Sequence, residues 1–104
     1  MAYAVYTTER FEKEIAKLSA FDKKIIEDIY KQLALSPYVG DQLRYKFFRE
    51  KRIREKRIYY LVYEDLAAVL IVAFGGKKTQ EETIDKIAEN FSEFRIYLEN
   101  LLKN

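Results

Sequence analysis

Hydrophobic positions recur along this chain with two periods, one helical and one strand-like. Residues 2 to 7 combine Tyr, Val and Thr as a short strand would. Phe11, Ile15 and Leu18 then fall at helical spacing. Thr7 or Thr8 is placed to cap that helix, with Glu9 in its first turn. Ser19-Ala20-Phe21-Asp22 resembles a capping box opening a second helix. Phe21, Ile25, Ile29 and Leu33 form its apolar stripe, flanked by Ile26 and Tyr30. Lys23, Lys24, Glu27, Asp28 and Lys31 fill the opposite face. With almost no linker between them, the two make a helical hairpin. Pro37 ends the second helix within the loop Ser36 to Asp41.

The second half begins with alternation. Leu43, Tyr45, Phe47 and Arg49 share one strand face, and Arg44, Lys46, Phe48 and Glu50 the other. Lys51 to Arg54 read as a charged turn, Glu55 to Tyr63 as the next strand, and Glu64-Asp65 as the turn after it. Leu66 to Phe74 is apolar on both faces, which predicts the central strand, broken by Gly75-Gly76. Thr79-Gln80-Glu81-Glu82 has the form of a capping box. The helix behind it turns Ile84, Ile87, Phe91, Phe94 and Leu98 inwards, with a break at Asn90-Phe91-Ser92 and a last helix, capped by Ser92, to about Leu102. The order is β-α-α-β-β-β-α, with a second terminal helix possible. It predicts one α+β domain over residues 1–104: a helical hairpin packed on a mainly antiparallel, twisted sheet.

Composition narrows the chemistry. The chain has 104 residues, 49% hydrophobic and 15% aromatic, enough for one core. It contains no Cys and no His. Disulfides, thiolate metal sites and His-based triads are thereby excluded, and any catalysis runs on Lys, Arg, Tyr, Asp, Glu, Ser or Thr. Residues 1–6 lack the basic and apolar regions of a signal peptide. The longest apolar run, nine residues, is too short for a membrane helix, which needs about 20. The expectation is a cytoplasmic protein.

Charge is concentrated. Arg44 to Arg57 holds eight Lys or Arg against Glu50 and Glu55, a formal charge of about +6 in a chain whose total is +2. Lys and Arg protect sheet edges from aggregation, but that device needs two or three charges. Eight point to a polyanion surface that gains affinity by counterion release. Arg49 and Arg57 stand on strands among aromatics, which suits either a bidentate phosphate contact or pairing with a helix carboxylate. Gly75-Gly76-Lys77-Lys78 lies between a strand and a capped helix. It is either a plain turn or an anion site, and its glycine spacing is not that of a Walker motif. Tyr38 and Tyr45 are candidates for base stacking.

The element order, the basic strands, Arg57-Ile58-Tyr59-Tyr60, the apolar strand and the basic segment after it resemble the RelE/ParE toxin superfamily. Phe74-Gly75-Gly76-Lys77-Lys78-Thr79-Gln80 is similar to the Phe-x-Lys-Lys-x-Gln segment of the HigB-like, phage-derived branch, with one extra residue before the lysines. The resemblance implies a RelE-like fold and the toxin of a type II toxin–antitoxin pair. It implies a ribosome-dependent mRNA endoribonuclease that needs no metal or cofactor, in which a 2′-hydroxyl attacks the adjacent phosphate to leave a 2′,3′-cyclic phosphate. Its partners would be the ribosome, mRNA and an acidic or amphipathic antitoxin segment, with no membrane.

Carried over by position, Arg57 matches the arginine of the R-x-x-Y strand motif, Arg49 the basic residue ending the preceding strand, and Lys78, with Lys77 beside it, a catalytic arginine after the last strand. Arg49, Arg57, Lys77 and Lys78 are thus the expected catalytic set. Arg44, Tyr45, Lys46, Lys51, Arg52, Arg54 and Lys56 are the expected RNA grip. Two departures follow. The second-strand lysines of RelE-type proteins match Tyr45 and Phe47, and their C-terminal tyrosine falls near Ile84. The general base stays open among Tyr45, Lys46, Lys51 and Glu81. The rivals are a ParE-like DNA gyrase inhibitor and a non-catalytic nucleic-acid-binding module.

Overall fold

The computed structural model describes residues 2–103. Five strands form one sheet: β1 (Ala4–Thr7), β2 (Asp41–Gln42), β3 (Phe48–Ile53), β4 (Lys56–Tyr63) and β5 (Ala68–Gly76), in the order β1-β5-β4-β3-β2. Only β1 and β5 pair in parallel; the remaining pairs are antiparallel. The helices are α1 (Glu9–Ile15), α2 (Ala20–Leu35), α3 (Gln80–Glu89) and α4 (Phe91–Leu102). No helix among the described residues is long and apolar enough to cross a membrane.

The sheet separates two cores. Phe11 and Ile15 of α1 and Ile26, Ile29 and Leu33 of α2 pack on Ile58, Tyr60, Val62, Val69 and Ile71. On the other face, Ile84 and Ile87 of α3 and Leu98 of α4 pack on Phe48, Tyr59, Leu61, Leu70 and Val72. Period-two alternation therefore sends Tyr59 and Tyr60 into different cores, and both are fully buried. β4 and β5 carry apolar residues on both faces because helices cover both. The long apolar run is an interior strand, though β4 occupies the middle place in the sheet.

Both early caps form. Thr8, rather than Thr7, accepts from the Phe11 amide at 3.2 Å, and Ser19 accepts from the Asp22 amide at 3.1 Å. The stripe of α2 is rotated from its expected position. Ile26 replaces Phe21, which is 62% exposed under the Arg54 guanidinium, 4.8 Å from its ring centroid.

The basic stretch departs further. Leu43 to Phe47 form a turn, not a strand. Tyr45 and Phe47 still lie on one side, as the alternation expected, stacked 5.3 Å apart and meeting Phe91 edge-on. The expected turn at Lys51–Arg54 is instead strand through Ile53, whose side chain is buried. The chain reverses over Arg54 and Glu55 alone, with Arg54 at φ 55°. That left-handed conformation costs a non-glycine residue roughly 1–3 kcal/mol, and an ion pair to Asp22 at 3.5 Å holds it. Gly75 and Gly76 do not break β5; they pair with Arg57 and Lys56. Thr79 precedes α3 but makes no side-chain cap, because Lys77–Thr79 form a 3-10 turn. The last break falls at Asn90, so α4 starts without a Ser92 cap.

Burial also marks the tyrosines. It pushes the Tyr63 hydroxyl from an ordinary value near 10 up to about 12, against the charge of Arg95 and aided by Asp65. Tyr30 rises to about 12 through burial and then the carboxylates of Glu12 and Glu27. Each hydroxyl holds its proton to higher pH folded than unfolded. Their stabilisation is therefore complete below about pH 10 and is lost as pH rises towards 12. Thermal melts across that window should show a steady fall in melting temperature, and a Tyr30→Phe/Tyr63→Phe variant should make that fall shallower.

Candidate functional site

Reversal at Arg54–Glu55 brings the tip of the β3–β4 hairpin beside the end of β5. Between them lies a cleft of about 610 Å³. Arg52, Arg54, Lys56 and Arg57 line it from the hairpin, and Gly76, Lys77, Lys78 and Thr79 from the β5–α3 turn. Glu55 is the one acid among the lining residues, against six cations. Cations gathered around a concave surface raise the local potential for a polyanion well beyond what the total charge of +2 suggests.

Arg57 forms the deep part of the site. It is 5% exposed, and its Nε lies 3.6 Å from Oε2 of Glu50, itself 7% exposed. The other Glu50 oxygen, Oε1, accepts from Gln80 Nε2 at 3.0 Å. Arg57 pairs with a carboxylate of the neighbouring strand, not one from a helix. Tyr59 stands next to this pair with its hydroxyl buried and without a hydrogen-bond partner among the described residues. Burial, and then the Glu50 carboxylate, hold that phenol above its ordinary range, so it stays neutral.

The rest of the basic stretch lies elsewhere. Arg49 faces the opposite side of the sheet from Arg57, since its ladder partner is Tyr60. Its guanidinium donates to the carbonyls of Gly40 at 3.0 Å and Lys46 at 2.8 Å and rests over the Tyr38 ring at 5.4 Å. The structure thus gives Arg49 the work of fastening the Leu43–Phe47 turn and keeps it out of the cleft. Lys51 shares that opposite face. Arg44, Tyr45 and Lys46 lie past the far end of β3, roughly 17 Å of strand away. There Arg44 pairs with Asp85, Lys46 sits 5.0 Å over Tyr38, and Tyr45 belongs to the aromatic cluster on Phe91. Of the expected catalytic set the cleft gathers Arg57, Lys77 and Lys78; of the expected grip it gathers Arg52, Arg54 and Lys56. None of Tyr45, Lys46, Lys51 or Glu81 lines it, and Ile84 is buried in the α3 core. Glu50 and Glu55 went unread because acids inside a basic run look like charge relief, and Gln80 because it lies 30 residues from Glu50 along the chain. The signal for Glu50 was its shared face with Arg57 across a tight hairpin.

No family model and no curated protein sequence matches the chain. Its fold does match solved structures. A mutant of the E. coli toxin RelE in the free state superposes with a TM-score of 0.69 at 20% identity, covering 84% of this chain and 99% of that one. The intact E. coli RelBE toxin–antitoxin complex gives 0.65 at 20%, over 73% and 98%. The archaeal RelE–RelB complex from Pyrococcus horikoshii gives 0.63 at 17%, over 73% and 96%. The chain has a RelE-like α+β fold.

Proposed function

We propose that the chain is the toxin of a type II toxin–antitoxin pair and cleaves mRNA on the ribosome without a metal. The observation that carries this reading is the six-cation cleft at the hairpin tip, on a fold similar to RelE in its complexes with RelB. In this reading a scissile phosphate enters the cleft over Arg57, with Lys77 and Lys78 on one wall and Arg52, Arg54 and Lys56 on the other. The 2′-hydroxyl oxygen attacks phosphorus and the bond to the 5′ oxygen breaks, leaving a 2′,3′-cyclic phosphate. Glu55 accepts the hydroxyl proton, and a cleft lysine donates one to the departing oxygen. The fixed cations stabilise the extra charge of the phosphorane. The partner is an acidic or amphipathic antitoxin segment that covers the cleft. We place the chain in the HigB-like branch on the Phe74–Gln80 segment.

Primer extension on mRNA from cells expressing the protein should reveal codon-phased ends, and the upstream fragments should carry cyclic phosphate. Lys78→Ala should lower the cleavage rate by about 10²-fold. It should also flatten the dependence of log affinity on log salt by about 0.7, the loss of one contact to a single strand. Intact mRNA from growth-arrested cells would overturn the nuclease reading. Ile84 favours one alternative: a phenol is missing where RelE-type proteins carry one, which suits binding without cleavage, as in ParE-like gyrase inhibition or a non-catalytic nucleic-acid-binding module. Gyrase-dependent DNA damage without RNA ends would select the former, and salt-dependent binding without arrest the latter.

A further inference from the structure

Arg57, Glu50 and Gln80 form a continuous chain from the floor of the cleft to the first residue of α3. Glu50 spends one oxygen on each neighbour: Oε2 faces Arg57 Nε at 3.6 Å and Oε1 accepts from Gln80 Nε2 at 3.0 Å. Gln80 directly follows the Lys77–Thr79 turn. The hairpin wall and the β5–α3 wall are thus tied beneath the cleft through one carboxylate. We infer that Glu50 and Gln80 are positioning residues: they fix the Arg57 guanidinium on the cleft floor and hold the Lys77–Lys78 turn at a set distance from the hairpin.

Three observations converge. Arg57 and Glu50 are both almost fully buried, so neither can be relaxed by solvent. Arg57 Nε has no hydrogen-bond partner among the described residues; its orientation rests on the Glu50 charge and on what holds Glu50. Gln80 is half-buried, and its side-chain amide turns back from the start of α3 to donate to Glu50. A buried charge is held in one geometry only when its partner is itself hydrogen-bonded. As a functional statement this rests on the phosphate-cleaving reading above, because a fixed floor arginine matters where a phosphate must be met in one orientation.

Gln80→Ala tests it, since Gln80 belongs to neither core cluster and its loss leaves both intact. In the ¹⁵N-labelled protein the Arg57 Nε–H resonance should be exchange-protected and should move on addition of inorganic phosphate. Gln80→Ala should abolish that protection while the other amide resonances stay in place. The single-turnover cleavage rate should fall on the order of 10- to 100-fold with RNA affinity nearly unchanged, the pattern of lost orientation. In a Glu50→Asp background, whose shorter carboxylate cannot reach both neighbours, Gln80→Ala should add no further loss. A protected Arg57 resonance in Gln80→Ala, or effects that simply multiply, would overturn the inference. If the parent protein cleaves no RNA, the proposed function fails by that result alone, and the resonance decides the positioning role independently.

Discussion

Arg57→Ala should both silence and destabilise the protein. Truncation leaves Glu50 buried without its countercharge, and removing one partner of a buried pair costs about 3–5 kcal/mol. Against a total stability of about 5–15 kcal/mol, the melting temperature should drop by roughly 12 °C or more. Loss of growth arrest in this variant alone therefore does not identify Arg57 as a phosphate contact. Glu50→Leu/Arg57→Met removes both charges at similar volume, which for buried pairs is often neutral or stabilising. It should recover most of the melting temperature and remain inactive, with cleavage reduced by about 10²-fold or more. A double variant that is stable and fully toxic would remove Arg57 from the site. An Arg57→Ala protein that melts like the parent would remove the buried pair.

The sequence alone suggests a milder outcome, relief of arrest without unfolding, because it places Arg57 on a strand among aromatics and does not show Glu50 buried against it. What separates the two expectations is the position of one turn. A turn at Lys51–Arg54 would set Glu50 against Glu55 at the hairpin tip, in water. The turn at Arg54–Glu55 sets it against Tyr59, inside the sheet. Local charge density favours the first, and the need to bury Ile53 decides for the second. Where the signal was periodic over many residues, it read true. The helical hairpin, the apolar β5 run and the inward line of Ile84, Ile87 and Leu98 all follow from spacing, because burial enforces it. Leu43 to Glu50 misled for the opposite reason. Aromatic and basic residues alternate there by coincidence, and stacking of Tyr45 and Phe47 on Phe91 outweighs strand pairing. The charge count over Arg44–Arg57 found a basic surface but not its partition. The fold sends Arg52, Arg54, Lys56 and Arg57 to the cleft and commits Arg49 to a loop.

Gly40→Ala should be the most damaging substitution outside the cleft. Gly40 is buried where the loop after α2 passes close to β3 and β4. Its N–H donates to Tyr60 Oη at 3.0 Å, and its carbonyl accepts from Arg49 Nε at 3.0 Å. A methyl group there would stand 2.6 Å from Tyr60 Oη and closer still to the Glu50 carbonyl oxygen. The phenol could turn aside, but the Glu50 carbonyl is strand backbone and cannot. Relief requires the loop to lift, which breaks both hydrogen bonds and leaves the Tyr60 hydroxyl stranded in the α1/α2 core. Orphaned buried polar groups cost about 1–3 kcal/mol each, so the loss should be on the order of 3–5 kcal/mol, read as a melting temperature at least 10 °C lower. Tyr60→Phe in the same protein should return only the part owed to the phenol, because the backbone clash remains. The effect should also reach the chemistry. The clash falls on the backbone of Glu50, whose side chain holds Arg57, so any folded fraction of Gly40→Ala should cleave RNA more slowly than the parent. A Gly40→Ala protein melting within 2 °C of the parent would mean that the loop does not pack on β3 as described.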